Sequence, residues 1–206
     1  MERFRACFGD LVDPRTGNAQ RHDLGELLLI ALAATLCGAE SCVDMALFGR
    51  AKEPFLRRFL RLEGGVPSHD TFSRLFRLLD PDRFEASFGR FVAAFAAPRN
   101  EVVAVDGKTT TASRYYLLSK PLAAARLAQV VRSHWHIENR LHWVLDVVMD
   151  EDGSRARKDY GPENLARLRR FALNLLRVNP DPGSTRGKIK RAGWDDAFLF
   201  QILSAA

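Results

Sequence analysis

The chain has 206 residues, of which 47% are hydrophobic and 27% charged, with a net charge of +6 at pH 7. That balance suits a globular protein with a real core, and a basic, arginine-rich chain favours nucleic acid or another anionic partner. The longest apolar run, Leu27 to Cys37, is far shorter than the roughly 20 residues a membrane span needs, so no membrane partner is expected.

The start, MERFRACFGD, has no apolar leader segment. Cys7, Cys37 and Cys42 are odd in number and match no zinc spacing. They read as reduced thiols of a cytoplasmic protein. The stretch at 24–39, LGELLLIALAATLCGA, predicts a strongly apolar helix stopped by Gly38. Ser41 can cap a helix over 41–52, and Pro54 opens a short one, PFLRRFLRL, with Phe55, Phe59 and Leu62 on one side. GGVPSHD breaks the chain. Ser68 caps the next helix, in which Phe72, Leu75, Phe76 and Leu79 recur at helical spacing. Asp80-Pro81 is another start signal, for a helix carrying Phe84, Phe88, Phe91 and Phe95 before Pro98. Those phenylalanines suit a core better than a base-stacking platform. No alternating strand pattern precedes residue 100.

The character changes at EVVAVDGKTTTAS, residues 101–113. Val102, Val103 and Val105 predict a buried strand over 101–105 that ends on Asp106-Gly107-Lys108. Helical patterning resumes near Pro121 and runs through RLAQVVRSHWHIENRLHWVL. Val147, Val148 and Met149 suggest a short partner strand at 146–149, and DEDG a turn. Gly161-Pro162-Glu163 starts a helix whose core stripe is Leu165, Leu168, Phe171, Ala172 and Leu175. NPDPGSTRG, at 179–187, is a loop, and KIKRAGWDDAFLFQIL closes the chain with a basic patch and a short apolar helix.

Two segments carry candidate chemistry. Asp106 sits where strand-end carboxylates commonly serve sites in α/β folds, although Asp-Gly also does plain turn work. In HWHIENRLHW, residues 134–143, His134, Glu138 and His142 fall on one helical face. That face is either a metal or catalytic face or a wet stripe on a packed helix. Converging carboxylates can hold two divalent ions ~3.5–4 Å apart, and hard oxygen ligands suit Mg²⁺ or Mn²⁺. Asp106 and Glu138 are the candidates, with Lys108 in reach of a phosphate. Arg186, Lys188, Lys190 and Arg191 form the best local candidate for DNA contact, though such a patch is more often a solvated surface.

Three ordered blocks then resemble one family. They are FGDLVDPRTGNAQRHDLGELLLIALAATLCGAESCVDMALFGR with GGVPSHDTFSRLFRLLDP, then VVAVDGKT, then SRYYLLS with VVRSHWHIENRLHWVLDVVMDEDGSRARKDYGPENLARLRRFALNLL. Together they are similar to ISAs1-type insertion-sequence transposases, a group including the H-repeat-associated proteins within the IS4-like DDE superfamily. The resemblance implies a mainly α protein. Residues 1–97 would form an all-α domain, and 98–206 a truncated α/β ribonuclease H-like domain with few strands left. It also implies Asp106 as the first metal-binding aspartate and Glu138 as the third acidic residue, with Arg132 upstream and Arg140 bordering the site. Mg²⁺ or Mn²⁺ would be the cofactor, DNA at the element ends the partner, and a homo-oligomer the assembly. The family's second aspartate has no counterpart, because residues 107–137 contain no Asp. The chain thus looks internally deleted near Thr109 to Ala112, and a transposase of this kind would be defective in strand cleavage and joining. The alternative is a non-catalytic DNA-binding remnant or a regulator of a related element.

Overall fold

The computed structural model of the protein describes residues 2–93, 105–109, 114–118, 123, 125–127, 129 and 143–205. In chain order the elements are α1 (Glu2–Phe8), a 3₁₀ turn (Gly17–Arg21), α2 (Leu24–Leu36), α3 (Cys42–Ala51), α4 (Glu53–Leu56), α5 (His69–Leu78) and α6 (Pro81–Ala93). There follow β1 (Val105–Thr109), β2 (Arg114–Leu118), a π-helical turn (Val144–Val148), α7 (Gly161–Val178), α8 (Thr185–Trp194) and α9 (Asp196–Ala205). The described protein is mainly helical, as expected.

Local signals account for the helix ends. The Asp23 carboxylate accepts the Glu26 N–H at the start of α2. Ser41 and Asp44 form a reciprocal capping box on α3. Ser68 accepts the Thr71 N–H and Asp80 the Arg83 N–H, starting α5 and α6. Helix α4 is shorter than the expected PFLRRFLRL helix. The Glu26 carboxylate takes the N–H groups of Arg61 and Leu62 and draws that segment out of helix, with Leu62 at φ 49 and its side chain buried.

Every residue of α2 from Leu27 through Leu36 is buried. A helix apolar on all sides must be surrounded, and α2 contacts α3, α7, α8 and α9. Helix α7 lies against α2, α5, α6 and α8. Its expected stripe, Leu165, Leu168, Phe171, Ala172 and Leu175, is buried, as are Leu173 and Leu176. These side chains belong to the same apolar cluster as those of α1 to α6. One core therefore crosses the expected 97/98 boundary.

Polar side chains fix that junction. Asn164 Nδ2 donates to the Phe76 and Leu79 carbonyls at 2.8 Å each, satisfying the end of α5. Arg167 reaches Glu163 at 2.7 Å, Glu85 at 3.0 Å and Asp82 at 3.5 Å, tying α7 to α6. The buried Arg169 donates to the Glu40 carbonyl.

The strand expectations shift. Of the strand expected at 101–105, residues 101–104 lie outside the described residues. Strand β1 covers Val105–Thr109 and pairs antiparallel with β2. Asp106 therefore lies within a strand and not at its end. The anticipated partner at 146–149 is the π-helical turn instead, with Leu145 and Met149 buried four residues apart. That spacing puts both on one helical face, and this packing outweighs the β preference of Val147 and Val148.

Candidate nucleic-acid interface

The β1–β2 register pairs Asp106 with Leu117, Gly107 with Tyr116 and Lys108 with Tyr115. Strand alternation then places positions 106, 108, 115 and 117 on one face of the hairpin. Its ten strand residues, VDGKT and RYYLL, include one acid, Asp106. Glu138, Arg132 and Arg140 lie outside the described residues, as do His134 and His142. Among the described residues, no three His, Cys, Asp or Glu side chains are grouped to hold a metal ion. One carboxylate does not make a two-ion centre, so the hairpin alone does not fit the Mg²⁺ or Mn²⁺ pair that the resemblance implies. The acids after the π-helical turn act on a different group. Glu151 and Asp150 offset the charge of Arg169, whose pKa burial lowers.

The C-terminal basic patch separates into different roles. Lys188 faces inward with Ile189 and Ala192. Its ammonium donates to the Leu176 carbonyl at 2.9 Å and the Asn179 carbonyl at 2.7 Å. It braces the end of α7 and is not available as a surface DNA contact. The sequence could not separate it from Lys190, since only packing decides which side of α8 is covered. Arg191 pairs with Asp181 and Asp195, and its guanidinium lies 4.2 Å from the Phe198 ring centroid. Arg186 and Lys190 are exposed, and among the described residues neither has a carboxylate at ion-pair distance.

Trp194 joins those two cations. Positions 186, 190 and 194 advance by four residues, so they span an arc of about 80° on the outer side of α8. The Trp194 side chain is 80% exposed. In the sequence it stands inside the closing segment with nothing to mark it as a surface group, although its spacing from Lys190 and Arg186 was the available signal.

Elsewhere the described surface holds a cleft of ≈ 630 Å³ lined in part by Arg21, His22, Asp23, Glu26, Arg61 and Glu63. Burial, then the nearby Arg15 charge, lowers the His22 pKa. Arg15 itself is buried and holds Asp13 and the His22 carbonyl. The signs of charge alternate there, which disfavours a polyanion. Burial pushes the Cys37 thiol up to about 12 and Cys42 up to about 11, so neither is an activated nucleophile.

Comparison with known proteins agrees with the helical pattern. Residues 5–92, spanning nearly all of α1 to α6, match the family described as DDE_Tnp_1-associated. The "H repeat-associated putative transposase YhhI" of Escherichia coli K12 is 29% identical over 176 residues, covering 77% of this chain and 47% of that protein. The chain is thus similar to transposases of the IS4-like group. A second similar protein, "Putative transposase YncI" of E. coli O157:H7, is 40% identical over 93 residues, 45% of this chain and 24% of its own length. An "Uncharacterized protein in dhlA 3'region" of Xanthobacter autotrophicus is 47% identical over 105 residues, 49% of this chain and 35% of its own. This transposase relative thus matches less than half the length of each of the three. No solved structure matches it. Helices α7 to α9 lie outside the family match, yet they complete the core that the matched helices leave open.

Proposed function

We propose that this chain is an ISAs1-type transposase relative that binds DNA at element ends and has lost strand cleavage and joining. The observation that carries the reading is the interval between Asp106 and Glu138, where residues 107–137 contain neither Asp nor Glu. The ion pair that would activate a water or a 3′-hydroxyl needs converging carboxylates, and this chain offers Asp106 and Glu138 without a third between them. On this reading an internal deletion accounts for the short interval. On this reading residues 1–97 derive from the family's helical domain and 98–206 from what remains of its ribonuclease H-like domain. On the same reading Lys108, Arg132 and Arg140 are the residues that would contact DNA at that centre.

DNA binding is supported by the net charge of +6 and by the outer face of α8, where Arg186 and Lys190 are free to meet phosphate. Lys190 keeps the role that Lys188 cannot fill. Such a chain would compete with a full-length relative for the element ends, alone or as a homo-oligomer. Among the described residues no helix is long and apolar enough to cross a membrane.

The test is incubation of the purified chain with duplex carrying its element ends, in Mn²⁺. We expect a shifted complex whose affinity falls steeply with salt, and no nick or joined product. A nick or strand-transfer product would show the loss of activity to be wrong. Equal affinity for element ends and unrelated duplex would remove the competition for ends.

A further inference from the structure

We propose that the Arg186–Lys190–Trp194 face of α8 holds single-stranded nucleic acid, with the indole of Trp194 stacked on an unpaired base. The proposal deepens the function proposed above and rests on it for the class of partner. It names the form of that partner, an unpaired strand.

Three observations converge on this face. The first is rigidity. Lys188, Ile189 and Ala192 anchor the inner side of α8, and the Lys188 ammonium is bound to two carbonyls at the end of α7. The platform is therefore held by the core. The second is Trp194 itself, the most exposed large hydrophobic side chain among the described residues. An indole left in water forgoes the ~1.5–3 kcal/mol that burying a large apolar side chain brings, so a partner that covers it gains that term.

The third is what surrounds it. Along the outer arc Trp194 is neighboured by Arg186, Gly187 and Lys190, with no apolar side chain among them. A hydrophobic protein surface would find nothing further to cover and would have to desolvate two cations. A nucleic-acid strand suits both parts, since its phosphates meet Arg186 and Lys190 and its bases offer a π-face to the indole. In an intact duplex the base faces are stacked on each other and closed to the indole, so the strand must be unpaired. Successive positions of the stripe lie about 6 Å apart along the helix axis, a line that one strand can follow.

The test uses the full chain, fluorescently labelled oligothymidylate, and a mixed-sequence duplex of equal length. Four proteins are compared: the unaltered chain, Trp194→Ala, Trp194→Phe and the double variant Arg186→Gln/Lys190→Gln. Removing the stack should weaken oligothymidylate binding about 5- to 100-fold, while duplex affinity changes less than about twofold. Trp194→Phe should keep most of the single-strand affinity. The double variant should lower the slope of log K against log salt for the single strand by about 1.4. Substitution at so exposed a position leaves the core alone, and unchanged thermal melting checks that.

The proposal fails if the unaltered chain does not bind oligothymidylate, or if Trp194→Ala binds it as well as the unaltered chain. It also fails if the variant weakens strand and duplex equally. A dimer in sedimentation that Trp194→Ala converts to monomer would assign the face to a second copy instead. Loss of element-end duplex binding with oligothymidylate binding intact would count against the function proposed above and leave this inference standing. The converse would remove only this one.

Discussion

Cys37 closes α2 and Cys42 opens α3, and burial makes both poor acids, with pKa values near 12 and 11. In the unfolded chain each thiol would ionise from about pH 8.5–9. Between pH 9 and about 12 the unfolded state has lost protons that the folded state keeps. Linkage then makes stability fall as pH rises through that window, whereas below pH 9 these thiols contribute no slope. The urea midpoint measured against pH should decline more steeply above pH 9 in the unaltered chain than in a Cys37→Ala/Cys42→Ala variant. Equal slopes would mean that the thiols ionise alike in both states. Neither cysteine announces this in the sequence, where an odd, non-zinc count says only that they are thiols.

Helix α8 shows how an element acquires function by the way it docks. Its sequence, TRGKIKRAGW, spreads cations around most of the helix, and one of them must face inward once Ile189 and Ala192 do. Lys188 is tolerated there because two carbonyls satisfy it. Gly38 allows the close approach: it sits at φ 90, and a Cβ there would lie 3.3 Å from Ile189 Cγ2. We expect Lys188→Met to destabilise the fold by about 1–3 kcal/mol, since it strands the Leu176 and Asn179 carbonyls. Lys190→Met, on the exposed side, should stay within about 0.5 kcal/mol. Chemical denaturation of the two variants decides it, and equal stabilities would mean the ammonium does not brace α7. The hairpin was only half legible: the valine run marked a strand, but β1 continues past Val105 through Asp-Gly-Lys. Its partner is the RYYLL segment, rich in aromatic side chains that suit strands.

At the scale of the molecule, the family match ends at residue 92 but the core does not. Six large apolar side chains of α7 are buried: Leu165, Leu168, Phe171, Leu173, Leu175 and Leu176. At ~1.5–3 kcal/mol each their burial is worth on the order of 10 kcal/mol, comparable to the whole net stability of a typical domain, ~5–15 kcal/mol. A fragment of residues 1–97 should therefore lack a cooperative thermal transition and self-associate through the uncovered faces of α2, α5 and α6. Circular dichroism melting and sedimentation of the fragment beside the full chain check this. A sharp melt from a monomeric fragment would show that the N-terminal helices close their own core.

The sequence by itself determined α2, α3, α5, α6 and α7, the caps at Ser41, Ser68 and Asp80, and most of the buried stripe of α7, because helical periodicity and capping are local and need no partner to be read. It also determined that no Asp or Glu lies between Asp106 and Glu138, which is a matter of composition. Only the tertiary structure decided which strand pairs with β1, that residues 144–148 coil rather than extend, and that Lys188 and Arg191 are spent within the fold while Arg186, Lys190 and Trp194 face water. Those outcomes depend on which faces are covered by segments distant in the chain, and a one-dimensional pattern does not carry that information.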